Sequence, residues 1–207
     1  MGLLSQEAKD AFANRQANTG KGSSRYLKPS EISEEGTLIT FLGDHNHTLR
    51  GYQAFLELKS EKKFVKVNTP NKLTRAELKE RAEELGAREP SKDQSEFYAF
   101  TIWNYEAEAV QIFEFTQAGL ITGICEFILD PDVEGNEKEF DMKLKRVKTG
   151  NDPRDVRYSA LATASGRRKQ EKVSKKIDAA FEEVKDAGYD IQELFNSEGN
   201  PFSPIVD

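Results

Sequence analysis

The stretch Phe140-Asp-Met-Lys-Leu-Lys-Arg-Val-Lys-Thr-Gly-Asn-Asp-Pro-Arg-Asp-Val-Arg-Tyr158 decides how this chain is read. Phe140, Met142 and Leu144 alternate with Asp141, Lys143 and Lys145, the period-two pattern of a strand with one apolar and one charged side. A turn-forming Thr-Gly-Asn-Asp-Pro run follows, and Val156 and Tyr158 then alternate with Arg157 as a second strand. The stretch is expected to form a basic β-hairpin, a place to hold a polyanion. Its register matters most, because a slip of one residue would exchange the groove side with the core side.

Working outward, the charge around this hairpin departs from that of the whole. The chain has 207 residues, is 32% charged and carries a formal net charge of −6, which by itself argues against a nucleic-acid partner. Residues 143–176 nevertheless hold twelve Lys and Arg against three acids, a net +9, and residues 177–207 hold eight acids against one Lys, a net −7. The C-terminal third is a charge dipole. Cys125 is the single cysteine, so no internal disulfide is expected and a buried thiol is. No apolar run approaches membrane-spanning length, and a cytosolic protein with no membrane partner is expected.

Upstream, residues 4–16 show helical spacing and residues 18–25 read as a Gly- and Ser-rich basic arm. Strands are expected over 37–42, 49–58, 64–67, 97–104 and 110–115, the last two rich in aromatic and β-branched residues. A helix over 74–86 is signalled by a capping box of Thr74 and Glu77 and a stop at Gly86. A second helix is expected after a cap at Thr116, ending before Asp130-Pro131. A third follows Gly166, with Val173, Ile177, Phe181 and Val184 on one stripe.

Strands, a helix and then a basic hairpin is the order of an OB barrel, whose helix lies between its third and fourth strands. The chain resembles bacteriophage single-stranded DNA-binding proteins in Trp103 with Val110-Gln-Ile-Phe-Glu114, in Phe140-Asp-Met-Lys-Leu-Lys-Arg-Val-Lys-Thr-Gly150 and in Arg157-Tyr158-Ser159. The likeness covers residues 97–165, about a third of the chain. It implies non-sequence-specific binding of single-stranded DNA in phage replication or recombination, without catalysis, in the cytoplasm of an infected cell. It also implies an acidic C-terminal segment that competes with DNA and recruits replication or recombination proteins. Some members carry a zinc site of Cys and His ligands, which one Cys and two His do not supply, so no metal and no cofactor is expected. The expected architecture is mainly β with helices, an elaborated OB-fold barrel over residues 31–166. An arm precedes it over 1–30; a helical segment follows over 167–195, and a tail over 196–207.

Single-strand binding combines cations for phosphates with aromatic platforms for bases. The phosphate candidates are Lys143, Lys145, Arg146, Lys148, Arg154 and Arg157; Tyr158 joins them through the resemblance, and the stacking candidates are Trp103, Tyr105 and Tyr52. One alternative is a non-catalytic interaction or assembly module, with the hairpin docking on an acidic partner. A minor alternative is a Mg²⁺-dependent nuclease using Asp132, Asp141 and Lys143. His45 and His47, without a third distant ligand, read as loop residues.

Overall fold

Ser95–Asn104, the strand β5, explains the architecture. From Ala99 to Asn104 every residue is buried, which requires that both faces of the strand be covered. The structure is a computed structural model describing residues 25–133, 136, 139–152, 155–163, 166–196 and 199–202. The helix expected over 4–16, nearly all of the basic arm, Arg154 and the end of the tail lie outside the described residues.

The remaining strands are β1 (Tyr26–Leu27), β2 (Thr37–Phe41), β3 (Thr48–Glu57), β4 (Phe64–Thr69), β6 (Ala109–Phe115), β7 (Asp141–Lys148) and β8 (Val156–Thr163). Among the described residues three α-helices accompany them: α1 (Arg75–Glu84), α2 (Ala118–Ile128) and α3 (Glu171–Asp186). The capping box expected at α1 is present, with Thr74 accepting from the Glu77 N–H. The N-cap of α2 is Gln117 rather than Thr116, without a side-chain bond. Among the described residues the eight strands form one sheet, making a mixed, mostly β architecture. No described helix is long and apolar enough to cross a membrane.

The sheet forks along β5. One edge of β5 pairs with β6 over its length, from Tyr98↔Phe115 to Asn104↔Ala109. The other edge pairs first with β3, from Gln53↔Ser95 to Thr48↔Phe100, and then with β2, where Phe41 meets Ile102 and Ile39 meets Asn104. Thus β2 and β3 are two pieces of one edge, interrupted by a Gly43–His47 excursion. Gly43 takes φ +73, a left-handed value natural to glycine, and Asp44 then accepts from the Asn46 N–H to start a 3-10 turn. β7 and β8 continue outward from β2, whereas β4 continues from β3.

Each face has its own cover. Leu120, Ile124 and Phe127 of α2 pack with Phe41, Phe100, Phe113, Met142, Leu144 and Ala160. On the opposite face Ile177 and Phe181 of α3 cover Leu42, Trp103 and Val110, and a 3-10 turn, Ile191–Phe195, lays Ile191 and Leu194 over Leu49, Phe97 and Ile112. Helix α1 forms a separate small core with Ala54, Leu56 and Val67 through Leu78 and Ala82.

The expected closed barrel does not form, since no ladder joins β8 to β6 among the described residues. Two contacts account for the opening. The free edge of β6 is taken by β1, which pairs in parallel at Tyr26↔Ile112 and Leu27↔Phe113, within the stretch expected to be an arm. Helix α2 also lies hard against β8: a Cβ on Gly123 would stand 2.6 Å from the Ala160 carbonyl oxygen, and one on Gly119 would collide with that of Tyr158. The helix fills the place where a closing ladder would run.

Candidate nucleic-acid interface

The β7–β8 ladder runs from Asp141↔Thr163 to Lys148↔Val156, the hairpin expected from the sequence, with the second strand five residues longer. Burial of Met142 and Leu144 fixes its register, so Lys143 and Lys145 point away from the α2 core. Lys143 lies opposite Leu38 on one side and Leu161 on the other, and its stem crosses Gly36, where a Cβ would meet Lys143 Cγ at 2.9 Å. Arg157, opposite Val147, faces the same way. The outward side therefore mixes Lys143, Lys145 and Arg157 with the exposed side chains of Val147 and Leu161.

Arg146 and Lys148 have the other parity, with Arg146 paired to Tyr158 across the ladder. They escape burial because the hairpin runs past the core there; Arg146 is half-buried and Lys148 exposed. The expectation of one cationic face is corrected accordingly: strand alternation wraps these charges around both sides of the hairpin. Tyr158 packs against the α2 core and is half-buried.

Five of the hairpin's charges have no counterion among the described residues. Among the described residues Lys143, Lys145, Arg146, Lys148 and Arg157 have no acidic group within 4 Å, while Arg50–Glu96 at 2.6 Å, Lys66–Glu114 at 2.7 Å and Arg168–Asp178 at 2.6 Å are typical elsewhere. The hairpin's own Asp155 is spent on its turn, accepting from the Asp152 N–H at 3.2 Å while its carbonyl accepts from the Thr149 N–H at 2.7 Å. Five cations within one hairpin remain available to an external anion.

The stacking candidates are not brought together. Trp103 is only 3% exposed, held beneath Ile177 and Phe181 with the Lys176 ammonium 5.8 Å above its ring. Burial on that face comes from α3, seventy residues later, which the strand pattern does not contain. Tyr52 pairs with Glu96 and therefore projects from the sheet face opposite Trp103. Tyr105 is a strut: its hydroxyl donates to Asp141 Oδ1 at 2.7 Å, and the Arg167 guanidinium covers its ring at 5.6 Å. Burial first, then the hydrogen bond to the Asp141 carboxylate and its charge, push the Tyr105 phenol well above its ordinary pKa.

Asp141 is 1% exposed, and its second oxygen accepts from the Arg167 N–H at 2.6 Å. Both carboxylate oxygens are thus consumed in fastening Tyr105 and the 3-10 turn Arg167–Lys169 to β7, an arrangement at odds with metal ligation. Asp132 is an exposed loop residue whose N–H donates to Asp130, and no group of three or more His, Cys, Asp or Glu is placed to hold a metal among the described residues. A cavity of about 570 Å³ opens at the fork, lined by Phe41, Phe100, Tyr98, Arg50 and His45; its polar Arg50 is already paired with Glu96.

Two acids of the C-terminal segment are tied down. Asp178 pairs with Arg168 at 2.6 Å and Glu182 with Lys185 at 2.6 Å, and the helix bearing them is anchored by Ile177 and Phe181. Phe202 packs edge-on to Tyr26, and its carbonyl accepts from Arg25 at 2.9 Å, so Phe202 belongs to the sheet cover.

Sequence reasoning passed over two residues. Phe55 and Phe64 are 61% and 65% exposed, the only exposed aromatic residues among those described. The signal was present, because Phe55 is out of phase with Ala54 and Leu56, which face α1. No family model, curated protein or solved structure matches the chain.

Proposed function

We propose that this chain binds single-stranded DNA without sequence preference and without catalysis, using the β7–β8 hairpin as its phosphate site. The observation that carries the reading is the set of five hairpin cations without an anionic partner among the described residues, in a molecule of net charge −6 where Arg50, Lys66 and Arg168 each hold an acid. Clustered uncompensated Lys and Arg form the footprint of a polyanion site, and mobile side chains on a hairpin tolerate a backbone of any sequence.

The strand order supports an OB-type reading of the sheet. With β2 and β3 taken as the first strand, β5 as the second, β6 as the third, and β7 and β8 as the fourth and fifth, the order β6-β5-β2-β7-β8 is that of an unrolled OB sheet. Helix α2 then falls between the third and fourth strands, and β4 with α1 is an insertion after the first. The likeness to phage single-strand binders suggests replication or recombination as the setting, with partners meeting the acidic residues of α3 and the tail.

Anisotropy of labelled oligo-dT across a salt series tests the reading. Five phosphate contacts give a slope of log K against log salt of about −3.5, and replacing Lys143, Lys145 and Arg157 by Ala reduces its magnitude by about 2. Absence of binding, or a flat salt dependence, overturns it.

A further inference from the structure

We propose that Phe55 and Phe64 on the β3–β4 hairpin form a stacking platform for the unpaired bases of a single-stranded nucleic acid. This rests on the reading above and supplies what the β7–β8 hairpin lacks. Single-strand binders need aromatic faces as well as cations. The three aromatics favoured by the sequence are buried, braced, or on opposed faces, and among the described residues only Phe55 and Phe64 present exposed rings.

Their geometry suits the task. Phe55 pairs with Lys66 and Phe64 with Glu57, so the two rings are diagonal neighbours on one sheet face. Such positions are separated by about 7–8 Å, within reach of adjacent aromatic faces. The alternating residues Ala54, Leu56 and Val67 bury themselves against α1, which fixes the outward direction of both phenylalanines. The Ile191–Phe195 turn covers the outer face as far as Asn68, whose amide donates to the Leu194 carbonyl at 2.9 Å. Beyond that point no described element lies over Phe55 or Phe64.

The charges around the platform favour a polyanion as its occupant. Lys59 and Lys62, in the turn joining β3 to β4, have no ion pair among the described residues, and neither has Lys92, which lines a cleft of about 190 Å³ beside Phe55. The acids within reach are engaged: Glu57 with Arg88 at 3.8 Å, Glu61 with Lys63 at 2.6 Å, and Glu114 with Lys66 at 2.7 Å. Two copies meeting through this patch would bring the same free lysines together, whereas a single strand brings phosphates to the lysines and π-faces to the rings.

The experiment compares the full chain with Phe55→Ala/Phe64→Ala and with Phe64→Trp, using oligo-dT anisotropy at several salt concentrations, Trp emission and sedimentation. The platform predicts at least a tenfold loss of affinity in the double variant with an unchanged salt slope, because stacking releases no counterions, and quenching of the new Trp on binding. Wild-type affinity in the double variant, or a Trp emission indifferent to oligo-dT, overturns the platform while leaving the phosphate site standing. A wild-type dimer that the double variant converts to monomer also overturns it, reassigning the patch to contact between copies. If the wild type does not bind oligo-dT at all, the functional reading falls first and the platform with it.

Discussion

Tyr105 gives its hydroxyl proton to a buried carboxylate, and this bond has a consequence at high pH. Folding holds the phenol protonated above its ordinary pKa near 10, chiefly by burial and then by Asp141. The unfolded phenol ionises there, so the stabilisation is complete below pH 10 and is lost as the pH rises toward the folded value. Tyr189, raised by burial, adds to the loss in the same direction. In Tyr105→Phe, Asp141 Oδ1 loses its donor, costing about 1.5–3 kcal/mol at pH 7. Urea denaturation should show the gap between variant and wild type narrowing above pH 10; a gap constant to pH 11 would mean that the phenol ionises as freely folded as unfolded. The sequence showed an aromatic near a strand end but not that Asp141, thirty-six residues away, would claim its hydroxyl. The register of Lys143 and Lys145, by contrast, was legible, because Met142 and Leu144 beside them leave one choice of inward face.

At the scale of elements, α2 and β8 meet through glycine. Replacing glycine by alanine inside a helix ordinarily stabilises it by up to about 1 kcal/mol. At Gly123 the sign should reverse, because the new methyl would stand 2.6 Å from the Ala160 carbonyl oxygen and 3.2 Å from its Cβ. A cost of about 1–3 kcal/mol is expected from such overpacking, read as a lowered melting temperature; a rise would show that α2 can ride away from β8 freely. Most elements were legible from local pattern. The capping box at Thr74 and the aromatic β-branched runs of β5 and β6 carry their own instructions. The edge taken by β1 was not legible, because Tyr26-Leu27 is too short to carry a period and owes its pairing to Ile112 and Phe113 of β6, far along the chain.

For the whole molecule, the cover laid by α3 decides what the single tryptophan reports. Trp103, shielded by Ile177 and Phe181, should emit at short wavelength, resist aqueous quenchers and keep its emission when oligo-dT binds. Quenching by oligo-dT would mean that α3 leaves the sheet, and the outer face would then join the site. The charge asymmetry of the C-terminal third was legible, and its basic part does supply the hairpin. Two acids of its acidic part, Asp178 and Glu182, are paired on an anchored helix, an outcome set by tertiary packing that the charge count does not carry.

The Gly43–His47 excursion gives this sheet a seam. On one side hang β7 and β8, on the other β4 and α1 with a hydrophobic core of their own, joined to the rest by the β3–β5 ladder and by the Lys66–Glu114 and Asn68–Leu194 contacts of β4. An addition built on that plan can lengthen, shorten or change its chemistry without disturbing the pairing that holds the rest. The seam leaves α1, packed on the outside of β3 and β4, as the replaceable piece, and divergence between chains of this design should gather there while β5, β6 and α2 stay fixed.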